Sequence, residues 1–186
     1  PLTPDFATCE SCDTELFDEK NPRYFYPFTT CTQCGPRYSI TKKFPFEREN
    51  TAIEVFKMCP NCLAEYKNPD DVRFHSQTNS CPDCGIQIWL KDNLGNEFKG
   101  TNKEIFEKLA EELSKGKIIA LKNTAGYLLM CDATNSEAVS ELRKRKRRPT
   151  KPFAVLFSGI STMQDYLEIS ELQIQHFKSS ESPIIV

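Results

Sequence analysis

The spacing of the cysteines constrains this chain more than any other feature, because four Cys-x2-Cys pairs repeat at an offset of fifty residues. Adding fifty to the first four positions gives the next four, so the eight residues are Cys9, Cys12, Cys31, Cys34, Cys59, Cys62, Cys81 and Cys84. Further pairs at the same offset are Glu15 with Glu65, Arg23 with Arg73, Tyr24 with Phe74, and Gly35 with Gly85. The pattern predicts an internal duplication.

Zinc chemistry explains this spacing. Zinc takes four ligands at the corners of a tetrahedron, and two Cys-x2-Cys turns with 18 residues between them can supply all four. The eight cysteines therefore predict two Zn²⁺ ions, each held by four thiolates, and both structural because no coordination position stays open. We prefer pairing within each repeat, since each repeat then forms its own unit, but the sequence also allows an interleaved arrangement.

Other chemistries of the cysteines are weaker explanations. Four disulfides would suit an oxidised protein, but gaps of two residues favour metal or redox chemistry. Redox pairs do not explain two matched sets, and iron–sulfur ligation is an alternative that we favour less than zinc. We interpret His75, which lies between the two pairs of the second repeat, as structural, and Cys131, which follows an apolar run, as a buried core thiol.

Bulk composition limits the class of protein. The chain has 186 residues, of which 39% are hydrophobic and 27% charged, and a net charge of −2, which is typical of a globular protein without bulk attraction for nucleic acid or acidic membranes. Its apolar runs are far shorter than the roughly 20 residues of a membrane helix, and its first residues do not form a secretory signal. We expect a cytoplasmic protein without membrane or nucleic-acid partners. The start at Pro1 and the strand-like ending SPIIV indicate a fragment of a longer protein.

The second half of the chain alternates helical and strand patterns. Apolar residues at helical spacing, with Asn or Thr before them and Gly116 after them, predict a helix over 102–116. The other predicted elements are strands over 117–122, 127–134, 152–157 and 183–186, and helices over 136–148, 160–167 and 170–177. The alternation predicts an α/β class with a mixed sheet. The predicted domains are a first four-cysteine zinc finger (1–48), a second one (49–98) and an α/β domain (99–186).

Two segments of the second half can carry chemistry. Lys122 leaves a predicted strand and enters a small-residue turn at Gly126, and the run RKRKRRPTKPF (143–153) places six positive charges at a helix C-terminus, with Lys151 beyond them. The structural explanations of the run are a favourable interaction with the helix dipole or a solvated basic face. The functional explanation is an anion site for phosphate or adenylate, because guanidinium groups grip oxygens in pairs. No standard nucleotide-binding motif accompanies it.

Three stretches together resemble a known family. Residues 8–40, residues 58–85 and residues 131–155, with CGPRYSI and RKRRPTKPFAV as their most specific parts, resemble the HypF carbamoyltransferases of nickel–iron hydrogenase maturation over nearly the whole chain. The resemblance implies two small four-cysteine zinc modules followed by the N-terminal part of a YrdC-like domain, a twisted α/β sheet that lines a concave positive groove. Residues 99–186 would be that truncated domain.

The resemblance also implies an activity. An acylphosphatase domain, which is missing here, would hydrolyse carbamoyl phosphate to carbamate, and the YrdC-like domain would join carbamate to ATP, giving carbamoyl-adenylate and pyrophosphate. Another missing domain would pass the carbamoyl group to the C-terminal cysteine of HypE, on the route to the cyanide ligand of the hydrogenase. The implied ligands and partners are ATP with Mg²⁺, carbamoyl phosphate or carbamate, and HypE.

Site residues follow from the resemblance position by position. The family's K-x-R element is matched by Lys146 and Arg148, followed by Lys151, while Lys122 and Gly126 match a segment at the groove. These five residues would bind the triphosphate and carbamoyl oxygens. The family usually has two glycines near Gly126, where this chain has Ala125, and the family's Ser-x-Asn element is missing, so the groove is incomplete and no catalytic residue is assigned.

A second hypothesis comes from a different functional class. The chain could be a zinc-braced adaptor that docks a protein or nucleic acid without chemistry of its own. An adaptor would have no need of the basic run beside the Lys122 segment, and a nucleic-acid binder would show steeply salt-dependent binding.

Overall fold

The computed structural model of the chain describes residues 3–123 and 126–185. They form two units, the first made of residues up to Ile88 with Gln175–Ile185, and the second made of Trp89–Ile174. The helices are α1 (Glu10–Phe17), α2 (Pro60–Lys67), α3 (Asn102–Ser114), α4 (Ser136–Lys146), α5 (Ile160–Gln164) and α6 (Glu171–Phe177). The strands are β1 (Leu90–Lys91), β2 (Glu97–Phe98), β3 (Ile119–Asn123) and β4 (Gly126–Met130). Within these described stretches, no helix combines the length and apolarity needed to cross a bilayer.

The first unit contains both repeats, which we call the first repeat (residues 9–35) and the second repeat (residues 59–85). The helices α1 and α2 each have eight residues, and each begins directly after the leading cysteine of its repeat. That cysteine is the N-cap residue and has an extended backbone. The next cysteine, Cys12 or Cys62, comes three residues later, so it lies in the first helical turn, where it is buried. The backbone thus confirms the predicted duplication.

The loops that follow α1 and α2 are duplicated as well. Phe25 and His75 occupy equivalent positions and both have left-handed backbone angles, with φ of 53° and 55°. Their amide groups donate to the carbonyl oxygens of Leu16 and Tyr66, at 2.9 and 3.0 Å. Left-handed backbone is uncommon for residues other than glycine, so its occurrence at both places shows that the whole loop is repeated.

The segment between the two repeats has local structure of its own. It contains 3₁₀ turns at Tyr38–Ile40 and Arg48–Asn50 and a bridge between Thr41 and Thr51. The guanidinium of Arg48 donates to the carbonyl oxygens of Phe56, Gln77 and Asn79. Arg48 therefore ties this segment to the second repeat.

The second unit begins with a short hairpin, β1 with β2, and continues with α3. The predicted cap of α3 is confirmed as Thr101, whose hydroxyl accepts the Glu104 amide at 3.3 Å while the Glu104 carboxylate accepts the Thr101 amide at 2.7 Å. The next two strands, β3 and β4, pair antiparallel. Helix α4 follows, capped by Asn135 and ending at Arg147, which has a left-handed φ of 48°.

Two predicted strands are wrong. Residues 152–157 and 183–185 are not in strands, and Val186 lies outside the described residues. Their composition favours a strand, but a strand also needs a neighbour to exchange hydrogen bonds with, and Leu156 and Ile184 are instead 94% and 82% exposed. The expected mixed sheet is therefore replaced, in the described part of the chain, by two antiparallel pairs, β1–β2 and β3–β4.

The remaining predicted elements form with shifted limits. Helices α4 and α5 end earlier than predicted, because the left-handed Arg147 stops α4 and α5 is a helix of only five residues. The strand expected over 127–134 is β4, which ends at Met130. The turn at Thr124 and Ala125, where the chain departs from the family's two glycines, lies outside the described residues.

Candidate metal centres

The four cysteines of the first repeat converge on one point. The distances between their sulfur atoms are 3.7 Å from Cys9 Sγ to Cys31 Sγ, 3.8 Å from Cys31 Sγ to Cys34 Sγ, and 3.7 Å from Cys34 Sγ to Cys12 Sγ. All four lie within 4.8 Å of one another. The first cysteine stands at the N-cap of α1 and the second in its first turn, so the helix start presents one pair and the Cys31–Cys34 turn presents the other.

The second repeat builds the same cluster. Its distances are Cys59 Sγ–Cys81 Sγ at 3.8 Å, Cys81 Sγ–Cys84 Sγ at 3.8 Å and Cys84 Sγ–Cys62 Sγ at 3.6 Å. Both clusters thus draw their four cysteines from a single repeat, which is the arrangement preferred from the sequence, and the interleaved one is not formed.

The spacing of the sulfur atoms fits a single four-coordinate ion. With Zn–S bonds near 2.3 Å, the edge of a tetrahedron of sulfur atoms is about 3.8 Å long. The measured separations of 3.6 to 3.8 Å match that edge and are far longer than the ~2.05 Å of a disulfide. The donor set and the geometry therefore fit a structural metal ion in each repeat, and all nine cysteines are free of disulfide bonds.

The thiol pKa values show why such a cluster needs a cation. Burial raises the pKa of Cys12 and Cys62, and their neighbouring sulfur groups raise it further. At Cys84 burial also acts to raise the pKa, but hydrogen bonds with the backbone of Cys59 and Cys81 and with the side chains of Cys62 and Cys81 together outweigh it and bring the pKa to about 7. Four thiolates held this closely require the charge of a bound metal ion to balance their repulsion.

A buried arginine of the first repeat reaches the cluster of the second. Arg23 is 2% exposed, and its Nη2 donates to the sulfur of Cys62 at 3.6 Å. Its Nη1 donates to Glu65 Oε1 at 2.9 Å, and its Nε donates to the carbonyl oxygen of Ser80 at 2.9 Å. The pKa of Arg23 lies above its ordinary value, because the pairing with Glu65 outweighs burial, which alone would lower it.

The equivalent arginine of the second repeat makes the reverse contacts. Arg73 is 4% exposed, and its Nη2 donates to the sulfur of Cys12 at 3.9 Å. Its Nη1 donates to Glu15 Oε1 at 3.2 Å, and its Nε donates to the carbonyl oxygen of Thr30 at 3.0 Å. The offset of fifty had marked Arg23, Arg73, Glu15 and Glu65 as repeated, but the sequence did not show that each arginine crosses to the other repeat.

The two glycines that follow the clusters serve different purposes. Gly35 has φ of +89°, a left-handed angle that suits glycine. At Gly85 the requirement is space, because a Cβ there would lie 2.0 Å from the hydroxyl of Tyr26. Tyr26 is fully buried, and its hydroxyl lies 3.2 Å from Ser80 Oγ. A side chain of the first repeat thus fills the space that Gly85 leaves open in the second.

His75 and Cys131 lie outside both clusters. The His75 ring packs against the rings of Tyr66 and Phe74, with centroids 5.0 and 4.4 Å away, in keeping with its structural interpretation. Cys131, expected as a buried core thiol, is only partly buried just after β4. The open hairpin explains the difference, since Leu128 and Leu129 beside it are also exposed.

The residues selected from the sequence for anion binding lie on the β3–β4 hairpin, at the end of α4 and in the turn after it. Lys122 stands near the end of β3, exposed, with Nζ 5.2 Å from the centre of the Tyr127 ring. Gly126 begins β4 opposite Asn123, with φ of +122°. Lys146 is the last residue of α4 and is exposed.

Arg148 and Lys151 belong to the turn after α4. Arg148 Nη2 donates to the carbonyl oxygen of Pro152 at 2.6 Å, while its buried Nε has no hydrogen-bond partner among the described residues. Arg143 and Phe153, the two ends of the basic run, were given no separate role from the sequence and organise this turn. Arg143 Nη1 donates to the carbonyl oxygens of Arg148 and Lys151, and the guanidinium groups of Arg143 and Arg148 lie 4.8 and 5.1 Å from the Phe153 ring.

Comparison with protein families separates the two repeats from the last part of the chain. A family model described as the HypF finger matches residues 8–41 and again 58–91. A second, named for Sua5, YciO and YrdC and described as telomere recombination, matches residues 111–186.

Individual relatives match nearly the whole chain. The carbamoyltransferase HypF of Rhodobacter capsulatus is 42% identical over all of this chain and 24% of its own length, and the probable carbamoyltransferase HypF of Methanocaldococcus jannaschii is 42% identical over 98% of this chain and 23% of its own. The crystal structure of T. kodakarensis HypF superposes with a TM-score of 0.91 and 39% identity, over 98% of this chain and 24% of that one. A full-length HypF crystal structure, described as the phosphate- and nucleotide-bound form, gives a TM-score of 0.87 at 39% identity, over 97% of this chain and 23% of that one.

Two tandem four-cysteine fingers followed by a YrdC-like region define the class of protein. Each finger matches the HypF finger, and the whole chain matches HypF sequences and structures end to end. The chain belongs to the HypF carbamoyltransferase family. It spans 24% of the length of the Rhodobacter capsulatus relative.

Proposed function

We propose that this chain is the zinc-finger part and the first portion of the YrdC-like domain of an ATP-dependent carbamoyltransferase. The observation that supports this most is the match over the full chain to proteins named carbamoyltransferase HypF, at 42% identity. The similar full-length structure was determined in a phosphate- and nucleotide-bound form, which supports a nucleotide-dependent reaction in this family.

The proposed reaction has two transfers. An oxygen of carbamate, produced from carbamoyl phosphate, attacks the α-phosphorus of ATP, and pyrophosphate leaves as the bond between the α- and β-phosphates breaks. The thiolate of the C-terminal cysteine of HypE later attacks the carbamoyl carbon, and AMP leaves. ATP is expected to act with Mg²⁺, and the parts of the protein that make carbamate and transfer the carbamoyl group would lie outside residues 1–186.

The basic residues of the second unit would bind the phosphates. Lys146, Arg148 and Lys151 lie at the end of α4 and in the turn after it, where cations can neutralise the charge that develops on pyrophosphate. The Nε of Arg148 is a buried donor without a partner in the described part of the chain, and a phosphate oxygen would satisfy it. Lys122 and Gly126, on the β3–β4 hairpin, would contribute a second side of the same site.

The first unit would have a structural role. Each cluster would hold one Zn²⁺ through Cys9, Cys12, Cys31 and Cys34 or through Cys59, Cys62, Cys81 and Cys84. A four-thiolate zinc ion has no free position for substrate, so the two fingers would stabilise the fold and orient neighbouring domains. Nine unpaired cysteines suit the reducing cytoplasm, which we propose as the location, with domain limits at 48/49 and 98/99.

A chimera tests the enzymatic proposal. The matching segment of the Rhodobacter capsulatus HypF is replaced by this chain, and carbamoyl-phosphate-dependent exchange of labelled pyrophosphate into ATP is measured. We expect exchange in the chimera and a loss of about a hundredfold or more on Arg148→Met. The matched control is Arg145→Met, because Arg145 pairs with Glu141 at 2.8 Å on the exposed side of α4, and it should exchange as the parent does.

Two results would contradict the proposal. One is a folded, metal-loaded chimera without any exchange. The other is equal exchange in Arg148→Met and Arg145→Met, which would show that Arg148 does not take part in the reaction.

A further inference from the structure

Each metal cluster receives a charged hydrogen-bond donor from the other repeat. Arg23 of the first repeat donates a hydrogen bond to the sulfur of Cys62 in the second repeat. Arg73 of the second repeat donates one to the sulfur of Cys12 in the first. The carboxylates that hold the guanidinium groups, Glu65 and Glu15, also belong to the repeat that is reached. The contacts are therefore reciprocal, and both crossings are buried.

These donors matter because of the charge of the centres. Four thiolates around Zn²⁺ leave two net negative charges in a largely buried place, and donors around a metal site orient its ligands and raise its affinity. A guanidinium is permanently charged, and each of these is almost completely excluded from solvent. Neither repeat supplies its own cluster with this arginine.

The position of each arginine depends on its own repeat being folded. Arg23 lies in the loop between α1 and Cys31, and this loop is closed at both ends by cysteines of the first cluster. The backbone amide of Arg23 donates to Asn21 Oδ1 at 2.9 Å, and that of Arg73 donates to Asp71 Oδ1 at 2.8 Å in the equivalent loop. Releasing the metal from one cluster would therefore free the loop that serves the other.

We propose that the two metal sites of this chain are coupled through Arg23 and Arg73, so that they gain and lose zinc together. The inference rests on the zinc binding proposed above and is independent of the carbamoyl chemistry. A chain that binds no zinc at all would refute zinc binding itself, whereas a chain that binds two zinc ions independently would refute only the coupling.

Limiting zinc tests the coupling in the unmodified chain. The metal-free chain is titrated with Zn²⁺ under reducing conditions, and species with zero, one and two ions are counted by native mass spectrometry. Independent equal sites would place about half of the chains in the one-zinc form at one zinc per chain. We expect the one-zinc form to be well below that share, and finding about half or more of the chains in it would overturn the proposal.

Arginine variants test the crossing. The zinc-loaded chain is treated with a competing chelator and N-ethylmaleimide, and alkylated cysteines are mapped by peptide mass spectrometry. Arg73→Met should increase alkylation first at Cys9, Cys12, Cys31 and Cys34, the repeat to which Arg73 does not belong. Arg23→Met should do the same at Cys59, Cys62, Cys81 and Cys84. The proposal would be overturned if alkylation increased first in the repeat that contains the substituted arginine.

Two further variants keep the test decisive. Arg48→Met removes a half-buried arginine whose guanidinium, in the described part of the chain, donates to carbonyl oxygens. It should therefore increase alkylation of the second repeat's cysteines less than Arg23→Met does. Cys9→Ser damages the first cluster without touching either arginine. If the sites are coupled, the second cluster of Cys9→Ser should bind zinc about tenfold more weakly or worse, and unchanged affinity there would contradict the coupling even if the arginine variants fail to fold.

Discussion

Single residues explain why the two repeats cannot be treated as separate fingers. Tyr26 of the first repeat is completely buried and fills the space above Gly85 of the second. The sequence marked Gly85 as the counterpart of Gly35. The structure shows that only Gly35 needs a left-handed backbone, because the demand at Gly85 is steric and comes from a distant side chain.

Gly85→Ala should destabilise the first unit by about 1–3 kcal/mol, since the new methyl group would overlap the Tyr26 hydroxyl and crowd Ser80. The control is Gly159→Ala, where nothing lies within 4 Å of the added carbon. Denaturant unfolding of both variants gives the difference. Tyr26→Phe in the Gly85→Ala background should recover part of the loss, and strictly additive losses in the double mutant would contradict the steric explanation.

Helix α3 is an element that the local sequence alone can predict. Its apolar spacing and its start were predicted correctly, because helical spacing and a capping residue are local signals that need no tertiary partner. The strand over 152–157 was predicted wrongly for the opposite reason. A strand is defined by its neighbour, and local composition cannot supply one.

Thr101→Ala should destabilise α3 by about 1 kcal/mol, because the Glu104 amide would lose its acceptor and the capping box would open. Thr101→Ser keeps the hydroxyl and should stay close to the parent. Hydrogen exchange of the amides in the first turn of α3 reports the difference locally. Equal protection in the alanine and serine variants would contradict the cap assigned here.

Three lysines around Glu112 give α3 a pH dependence. Hydrogen bonds from Lys117 first, and then from Lys108 and Lys115, lower the pKa of Glu112 from 4.5 to about 2. Because the folded-state pKa is depressed, the stabilisation from these pairs is present above pH 4.5 and is lost as the pH falls towards 2. A carboxyl ¹³C titration should place the midpoint of Glu112 well below 4.5, and Lys117→Met should raise it. An unchanged midpoint in the variant would contradict the assignment.

At the scale of the whole chain, the sequence predicted the chemistry better than the architecture. Eight cysteines at fixed spacing specify two four-sulfur clusters, since metal geometry leaves few other arrangements. The crossing of Arg23 and Arg73 was not predictable in the same way. Their partners lie 42 and 58 residues away along the chain, and no periodic pattern encodes a contact of that kind.

Metal removal should affect the two units differently. All eight cluster cysteines lie in the first unit, so EDTA should abolish amide protection in the two repeats while the β3–β4 hairpin and α3 keep theirs. Hydrogen exchange followed by mass spectrometry, with and without the chelator, measures both at once. Equal loss of protection in both units would contradict the assignment of the metal to the first unit.

Counting the metal ions bound per chain shows whether two four-thiolate zinc sites organise the first unit. Native mass spectrometry of the reduced chain, before and after EDTA, gives this number. We expect two zinc ions per chain, and we expect the first unit to unfold when they are removed. A folded chain that carries no metal, or one whose mass shows four disulfides, would contradict it.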